Sequence, residues 1–376
     1  MRPGSIWKAV AGLCLLVLGW PAWLSAQEGP IFSPARSGYD YTFPRDHGSH
    51  EAFQTEWWYF TGHLFTEAGR RFGYELTFFR RGIDHPDARK NPSVWAIRHL
   101  YLAHFALTDE SGDQFRMAEK VSRAGIHKAG AQPDNLHVWI DRWFVQAVPG
   151  HPHRFDLQAQ GEGFAIDLEV ESRKPPVVHG VGGVSKKGEQ AGETSHYYSL
   201  TRLTTKGTVQ VEETLLSVEG ESWMDHEFGS ADLAEGLVGW DWFSIQLANG
   251  REIMAYWLRE ANGTFAPASS GTLVNRDGSS QLLTRDEMEV TVEKFWTSSR
   301  SGARYPNQWQ FTIPSREIAL QLIPRMAEQE LVTSRSTGVT YWEGAVDVTG
   351  TWQGRPIEGR GYVELTGYAK PYRPGS

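Results

Sequence analysis

An internal repeat constrains the fold of this 376-residue chain more than any other feature of its sequence. Residues 57–64 read Trp-Trp-Tyr-Phe-Thr-Gly-His-Leu, residues 240–247 read Trp-Asp-Trp-Phe-Ser-Ile-Gln-Leu, and each copy continues into a Gly-Arg turn and a second strand-like segment. Two further pairs of segments follow in the same order, residues 155–170 with 309–323 and residues 218–225 with 357–364. The shared order predicts two copies of one β-module of about eight strands.

Short, evenly spaced strands joined by Gly-rich turns are typical of an up-and-down antiparallel barrel, because closing the sheet removes its exposed edges. The composition agrees, since 16 Trp, 18 Phe and 13 Tyr accompany 39 Gly and 19 Pro, and helical periodicity is hard to find. We therefore predict an all-β chain of two barrels from an internal duplication. The first domain is expected to span residues 27–235 and the second residues 236–376.

The first 26 residues have the pattern of a signal peptide. Two basic residues precede an apolar run from Ala9 to Trp20, and Leu24-Ser25-Ala26 resembles a small-residue cleavage site. We expect cleavage and export, to the periplasm or outside the cell; an uncleaved membrane anchor is the alternative, although the run is short for a full span. Because the single cysteine, Cys14, lies within this run, the mature chain would contain neither disulfides nor thiol chemistry.

The remaining sequence argues against several classes of partner and cofactor. The net charge of -8 comes without long runs of one sign, so neither nucleic acid nor an anionic membrane surface is an expected partner. No later segment is apolar enough to make the mature chain an integral membrane protein. Phosphate-loop and zinc-protease motifs are absent, and His47-x-x-His50 encloses Gly48 and Ser49, which favour a turn over a metal site. We expect neither a cofactor nor a metal.

One octapeptide, residues 222–229, concentrates chemistry in a strand-like context. Alternation along a strand would send Trp223, Asp225 and Glu227 to one face and His226 to the other. A carboxylate beside an indole on an inward face loses hydration, which raises its pKa and lets it donate a proton near neutral pH. An exposed strand end that carries ordinary charges is the alternative.

The repeat bears on this motif as well. The second copy has Tyr362 and Glu364 where the first has Trp223 and Asp225, so an architectural role would also explain the aromatic-x-acid pair. His226 and Glu227 have no counterparts there and are added to the candidate catalytic residues. We expect the second copy to be a structural partner of the first.

Several motifs together resemble the AttH-like proteins, also called predicted secreted hydrolases, which are relatives of the carotenoid 1,2-hydratases. The resemblance runs from about Phe32 to Ala369 and is carried by residues 43–50, 56–59, 223–227, 239–242 and 337–344. It implies two lipocalin-like (calycin-type) barrels in tandem. Some members are linked to ABC export systems, which makes ABC transporter components candidate partners.

The hydratases carry a pattern of His-x-aromatic followed by aromatic-x-Asp, and the resemblance places it on His196, Tyr198, Trp223 and Asp225. It implies addition of water to a terminal isoprenoid alkene without a cofactor. In this reading Asp225, hydrogen-bonded to His196, delivers the proton, and Tyr198 or His196 orients the water. The two aromatic types differ from those expected of the hydratases, which puts the carotenoid substrate in doubt more than the site.

Two classes of function follow. The first is an exported, cofactor-free enzyme, hydratase or hydrolase, that acts on an apolar isoprenoid or lipid. The second is a non-catalytic carrier of such a hydrophobic ligand that works with an ABC export system. In either case aromatic side chains would line the ligand site, and the candidates are Trp57, Trp58, Tyr59, Trp240 and Trp242. The two classes differ in whether His196 and Asp225 point into a common cavity.

Overall fold

The structure, a computed structural model, describes residues 32–373 except residues 84, 86–89, 94, 191 and 232. The predicted signal peptide over residues 1–26 lies outside the described residues. Within the described ranges, no helix has both the length and the apolar character needed to cross a bilayer.

The described chain is almost entirely β-structure, in two antiparallel sheets. The strands of the first sheet are β1 (Thr55–Phe65), β2 (Arg71–Gly82), β3 (His99–Asp109), β4 (Gln114–Arg123), β5 (Ala129–Ala131), β6 (His137–Ile140), β7 (Trp143–Ala147), β8 (Arg154–Gly161), β9 (Phe164–Ser172), β10 (Val177–Val178), β11 (Ser185–Lys186), β12 (Thr194–Val211) and β13 (Thr214–Gly229).

The strands of the second sheet are β14 (Leu237–Leu247), β15 (Glu252–Glu260), β16 (Ser270–Val274), β17 (Ser280–Thr284), β18 (Glu289–Thr297), β19 (Arg304–Ile313), β20 (Ile318–Pro324), β21 (Glu330–Val332), β22 (Thr340–Trp352) and β23 (Arg355–Thr366). Short 3-10 helices occur at Arg45–His47, Arg285–Glu287 and Pro314–Arg316. The predicted boundary at residues 235 and 236 falls between β13 and β14, and the division into domains stays a prediction.

The two sheets have the same topology over nine strands. The order β4-β3-β2-β1-β13-β12-β9-β8-β7 in the first sheet corresponds to β17-β16-β15-β14-β23-β22-β20-β19-β18 in the second. The duplication extends to the register, because Tyr59 lies opposite Asp225 on β1 and β13 just as Trp242 lies opposite Glu364 on β14 and β23. Each sheet is barrel or half-barrel shaped. The prediction of an all-β chain with two tandem lipocalin-like barrels is confirmed.

Large apolar side chains fill the inside of each curved sheet. Alternation along β1 sends Trp58, Phe60 and Leu64 into the first core, where all three are buried. On β14 the same alternation sends Phe243, Ile245 and Leu247 into the second core. A lipocalin-like barrel that holds a ligand needs space inside, and here side chains occupy that space. The two outer faces are therefore the better place to look for a site.

The outer faces of the two sheets pack against each other. A third apolar cluster joins Tyr59, Tyr197 and Trp223 of the first sheet to Trp242 and Tyr362 of the second. A glycine on β2 allows the close approach, since a Cβ added at Gly73 would lie 2.8 Å from Ala345 Cβ and 3.0 Å from Tyr362 Oη. We call this contact the sheet interface.

We expect Gly73→Ala to destabilise the protein by about 1–3 kcal/mol, because the added methyl group overpacks the sheet interface. Ala345→Gly removes the nearest atom, so Gly73→Ala should cost at least about 0.5 kcal/mol less in that background. Denaturant unfolding of the four members of the double-mutant cycle measures the difference. Equal costs in both backgrounds would contradict this packing of the two sheets.

Candidate active site between the two sheets

The register of β12 and β13 divides the sequence-predicted residues between two faces. Ser199 lies opposite Asp225, whereas Tyr198 lies opposite His226. Residues directly opposite in an antiparallel pair project to the same face. One group of side chains therefore enters the sheet interface, and the other projects to the opposite face, beneath the amino-terminal segment. The predicted separation of Asp225 from His226 is confirmed.

Asp225 is buried at the sheet interface within a shell of three hydrogen-bond donors. Tyr197 Oη donates to its Oδ2 at 2.6 Å and Trp223 Nε1 donates to its Oδ1 at 2.6 Å, while Ser199 Oγ also donates to Oδ1. Burial raises the pKa of Asp225 to about 7, against the opposing effect of the three hydrogen bonds. The structure thus contains the carboxylate beside an indole that the sequence predicted.

Three glutamates join Asp225 at the sheet interface, and two of them come from the second sheet. Glu364 accepts hydrogen bonds from Trp240 Nε1 at 3.0 Å and Thr366 Oγ1 at 2.8 Å. Burial raises the pKa of Glu364 to about 7. We call Asp225, Glu364, Glu343 and Glu75 the acid cluster. The second copy thus contributes half of these acids, and the expectation that it is a structural partner of the first stays a prediction.

Glu343 and Glu75 each accept fewer hydrogen bonds than Asp225 and Glu364 do. Oε1 of Glu343 accepts a hydrogen bond from Tyr59 Oη at 2.6 Å, and Oε1 of Glu75 accepts one from Thr77 Oγ1. The Oε2 atoms of both glutamates are buried and have no hydrogen-bond partner among the described residues. Burial, and to a smaller extent neighbouring carboxylates, raises the pKa of each well above its ordinary value.

Aromatic side chains enclose the acid cluster. Trp242 Nε1 donates to Tyr197 Oη at 3.0 Å, and the Trp242 ring meets Tyr59 edge-on with centroids 5.2 Å apart. Trp57 and Trp240 pack against the same group of side chains. Four of the five predicted ligand-binding residues therefore lie here. The fifth, Trp58, lies in the first core, because side chains alternate along β1 and Trp58 projects to the face opposite that of Trp57 and Tyr59.

Glu227 lies at the edge of this site. Its carboxylate is 2.7 Å from Nζ of Lys187, which follows β11. The same ammonium lies over the rings of Tyr197 and Tyr256, at 5.4 and 4.9 Å from their centroids. This ion pair holds the segment after β11 against β13.

The predicted hydrogen bond between His196 and Asp225 is wrong. His196 projects to the opposite face of the sheet, where its Nδ1 pairs with the Gly183 carbonyl at 2.9 Å and its ring packs on Tyr39. The physical reason is the register, because Asp225 lies opposite Ser199 and strand side chains alternate, so His196 and Tyr198 must face away from it. The predicted four-residue pocket therefore does not form.

Tyr198 and His226 belong to a second polar group, which we call the amino-terminal cluster. Its centre is the Glu56 carboxylate. The oxygens of this carboxylate lie within hydrogen-bond distance of Arg80 Nε at 2.8 Å, His50 Nδ1 at 2.8 Å and His226 Nε2 at 2.9 Å. Tyr198 Oη lies 3.1 Å from His226 Nδ1. This cluster fixes the segment before β1 to the sheet.

His50, Glu56 and His226 have ligand atoms within 4.8 Å of one another, a spacing that a metal ion could use. The donor set does not fit an ion, since the Glu56 carboxylate is already paired with the Arg80 guanidinium and hydrogen-bonded to both imidazoles. A cation would have to displace a buried arginine. The arrangement is that of a buried structural ion pair.

Sequence reasoning missed Tyr197, Ser199, Glu343 and Glu75. Two signals in the sequence pointed to the acids of the second copy. The repeat matched Glu364 to Asp225, and Glu343 lies in the family-like stretch 337–344. No local pattern identifies Glu75, which reaches the acid cluster only because β2 lies beside β1.

The chain is similar to known proteins in both sequence and structure. The AttH-like family model matches residues 34–368. A solved structure of a Nitrosomonas europaea protein assigned to AttH is 33% identical, covers 90% of this chain and all of its own, and superposes with a TM-score of 0.80. The resemblance inferred from the sequence motifs is thus confirmed.

Two more distant relatives carry enzyme names. The dehydratase asqC of Emericella nidulans is 22% identical over 216 residues, 56% of this chain and 60% of that protein. Kievitone hydratase of Fusarium solani subsp. phaseoli is 21% identical over 211 residues, 55% of this chain and 58% of that protein. A solved kievitone hydratase from Nectria haematococca has a TM-score of 0.68 at 16% identity, covering 90% of this chain and 98% of its own. The aligned segments thus span less than two thirds of both curated relatives.

We expect Arg80→Met to destabilise the protein by about 3–5 kcal/mol, because it leaves the buried Glu56 carboxylate without its cation. Thermal or denaturant unfolding measures this loss. Arg142→Met, at an exposed arginine in the turn between β6 and β7, is the matched control and should change stability by less than about 0.5 kcal/mol. A small effect of Arg80→Met would contradict the structural role of the amino-terminal cluster.

Proposed function

This chain belongs to the AttH-like family, and from this premise we propose that it is a hydro-lyase-type enzyme that adds water to, or removes it from, an apolar substrate. The observation that carries the proposal is the acid cluster: three buried carboxyl groups and one partly buried, Glu364, all with raised pKa values and enclosed by tryptophan and tyrosine rings. Strongly perturbed acids with a stated physical cause nominate a functional site. The hydratase and dehydratase names of the distant relatives support the same class of reaction.

The residue types suit hydration of a trisubstituted alkene. Such a reaction needs a neutral carboxylic acid to protonate one alkene carbon and a carboxylate to take a proton from the attacking water. Between these steps a tertiary cation forms, and the faces of Trp223, Trp242 and Tyr59 would stabilise it by cation–π attraction, worth about 2 kcal/mol when desolvated. The acid cluster supplies both protonation states of a carboxyl group within one site.

The substrate would lie at the sheet interface, since apolar side chains occupy the inside of both barrels. The aromatic enclosure selects an apolar molecule, and we propose an isoprenoid or lipid that carries a terminal alkene. The carboxyl groups move protons without assistance, so the proposal includes no cofactor. It also includes export of the mature chain and, from the family resemblance, a working association with ABC transporter components.

A carrier of the same ligand is the competing function. A carrier would need the aromatic enclosure but would gain nothing from buried carboxyl groups, each of which loses hydration free energy on folding. Four of them at one interface therefore favour catalysis over storage.

We expect Asp225→Asn to lower turnover by a factor of about a hundred or more while leaving ligand binding nearly intact, because the amide keeps the shape and cannot exchange the proton. The assay incubates the protein with geranylgeraniol and related terminal trisubstituted alkenes in oxygen-18 water and detects labelled alcohol by mass spectrometry. Lipids that co-purify with the protein extend the substrate panel.

Trp223→Ala separates the two functions. In the enzyme it should weaken both binding and turnover, whereas in a carrier it should weaken binding while Asp225→Asn has no effect. Binding of the same alkenes, followed by tryptophan fluorescence, gives the comparison. Unchanged turnover of any converted substrate in Asp225→Asn would exclude this residue from the reaction.

A further inference from the structure

The four carboxyl groups of the acid cluster differ in how many hydrogen bonds they accept. Asp225 accepts three, on both of its oxygens. Glu343 accepts one, on Oε1, and its Oε2 is buried without a hydrogen-bond partner among the described residues. Hydrogen-bond donors stabilise the ionised form of a carboxyl group, so this difference assigns different protonation states to the two residues.

Asp225 is built to be a carboxylate. Trp223 Nε1 can only donate, and Tyr197 Oη already receives a hydrogen bond from Trp242 Nε1, so its own proton points to Asp225. These three donors leave one lone-pair position of Asp225 free, on Oδ2, where a proton from water can be accepted. At a pH above its raised pKa of about 7, Asp225 is therefore a carboxylate that can accept a proton from water.

Glu343 is built to be a neutral acid. It lies directly opposite Glu364 on the neighbouring strand, so ionising both would place like charges side by side in a buried site. Glu75 adds a third carboxyl group from the facing sheet, and its Oε2 is also unpartnered. A proton on Oε2 of Glu343 relieves this repulsion, and because Oε2 has no other partner, that proton is available to a substrate.

We propose that Glu343 is a second catalytic residue, which donates the proton to the substrate carbon from Oε2, while Asp225 is the base that takes a proton from the attacking water. This inference rests on the proposed function. It changes the role assigned to Asp225 from acid to base. It also makes both copies of the duplicated module necessary for one reaction.

In the proposed reaction each bond that breaks is matched by a bond that forms. The O–H bond of Glu343 breaks and a C–H bond forms at the less substituted alkene carbon, which leaves a tertiary cation at the other carbon and a carboxylate on Glu343. Water attacks the cation, a C–O bond forms, and the water proton passes to Asp225. Transfer of that proton from Asp225 to Glu343, through water, restores both groups for the next turnover.

Other titratable groups lie around these two residues. Around Asp225 and Glu343 these are Tyr59, Glu75, Lys187, Tyr197, Glu227, Tyr341, Tyr362 and Glu364. Burial, the largest influence, raises the pKa of every one of these tyrosines above its ordinary value, so their hydroxyl groups stay protonated near neutral pH. Proton exchange in this range therefore falls to the carboxyl groups.

The direction of the pH dependence tests the assignment. In the hydration direction, a base with a pKa of about 7 makes the rate rise as pH increases through about 7, and the acid makes it fall only at higher pH. If Asp225 were the acid, the rate would fall as pH increases through about 7. That result, obtained with geranylgeraniol or another converted alkene, would overturn the inference and leave the proposed function standing.

Variants identify the residue responsible for each of the two changes of rate with pH, the rise near pH 7 and the fall at higher pH, which we call the alkaline limb. Glu343→Gln should lower turnover at least a hundredfold and remove the alkaline limb. Tyr59→Phe removes the hydroxyl group that favours ionised Glu343, so the alkaline limb should move to higher pH. Glu330→Gln is the matched control, since Glu330 is a buried glutamate of the second sheet held by three hydroxyl groups away from the interface, and turnover should stay within about twofold. Retained turnover in Glu343→Gln would overturn the inference.

Infrared spectroscopy of the full chain without ligand tests the protonation states independently of activity. The difference between wild type and Glu343→Gln at pH 7 should contain the carbonyl band of a protonated carboxylic acid. The difference between wild type and Asp225→Asn at pH 8 should contain carboxylate bands. Carboxylate bands for Glu343 at pH 7 would overturn the inference, while absence of labelled product from every alkene in the panel would count against the proposed function instead.

Discussion

The packing of the two outer sheet faces against each other is the interaction on which the chemistry of this protein depends. Each barrel already buries an apolar core, and the outer face of an isolated barrel would be hydrated. Because the two outer faces meet, the acid cluster loses water, and the Oε2 atoms of Glu343 and Glu75 have no hydrogen-bond partner among the described residues to replace it. Desolvation then raises their pKa values, which is how a protein obtains carboxyl groups that exchange protons near neutral pH.

The amino-terminal cluster and the acid cluster lie on opposite faces of β13, and both contain buried carboxyl groups. In the amino-terminal cluster, the Glu56 carboxylate is paired with Arg80 and bound by His50 and His226, and the result is a fixed ion pair. In the acid cluster no arginine approaches Asp225 or Glu343 closely enough to form an ion pair within the described ranges. The two clusters therefore differ in charge compensation, since a guanidinium is paired with Glu56 and none is paired with Asp225 or Glu343 among the described residues.

Duplication supplied the framework of the site, and divergence between the copies made it asymmetric. Trp223 and Asp225 of β13 correspond in register to Tyr362 and Glu364 of β23. The residue opposite the acid differs, since Asp225 faces a serine, Ser199, whereas Glu364 faces a second acid, Glu343. A hydroxyl group donates a hydrogen bond to Asp225, whereas Glu343 and Glu364 place two carboxyl groups side by side. One difference at equivalent positions therefore changes the electrostatic surroundings of the acid.

The sequence by itself determined the β-modules, their duplication and the alternation that sends Trp223, Asp225 and Glu227 to one face and His226 to the other. These features follow from the alternation of residues along each strand and from the similarity between the two copies, both of which can be seen in the sequence alone. Only the tertiary structure decided that Ser199 and Tyr197, not His196, lie beside Asp225, because register between strands depends on contacts far apart in the chain. It alone brought Tyr59 to Glu343, 284 residues away, since packing of one sheet on another leaves no periodic signal in the sequence.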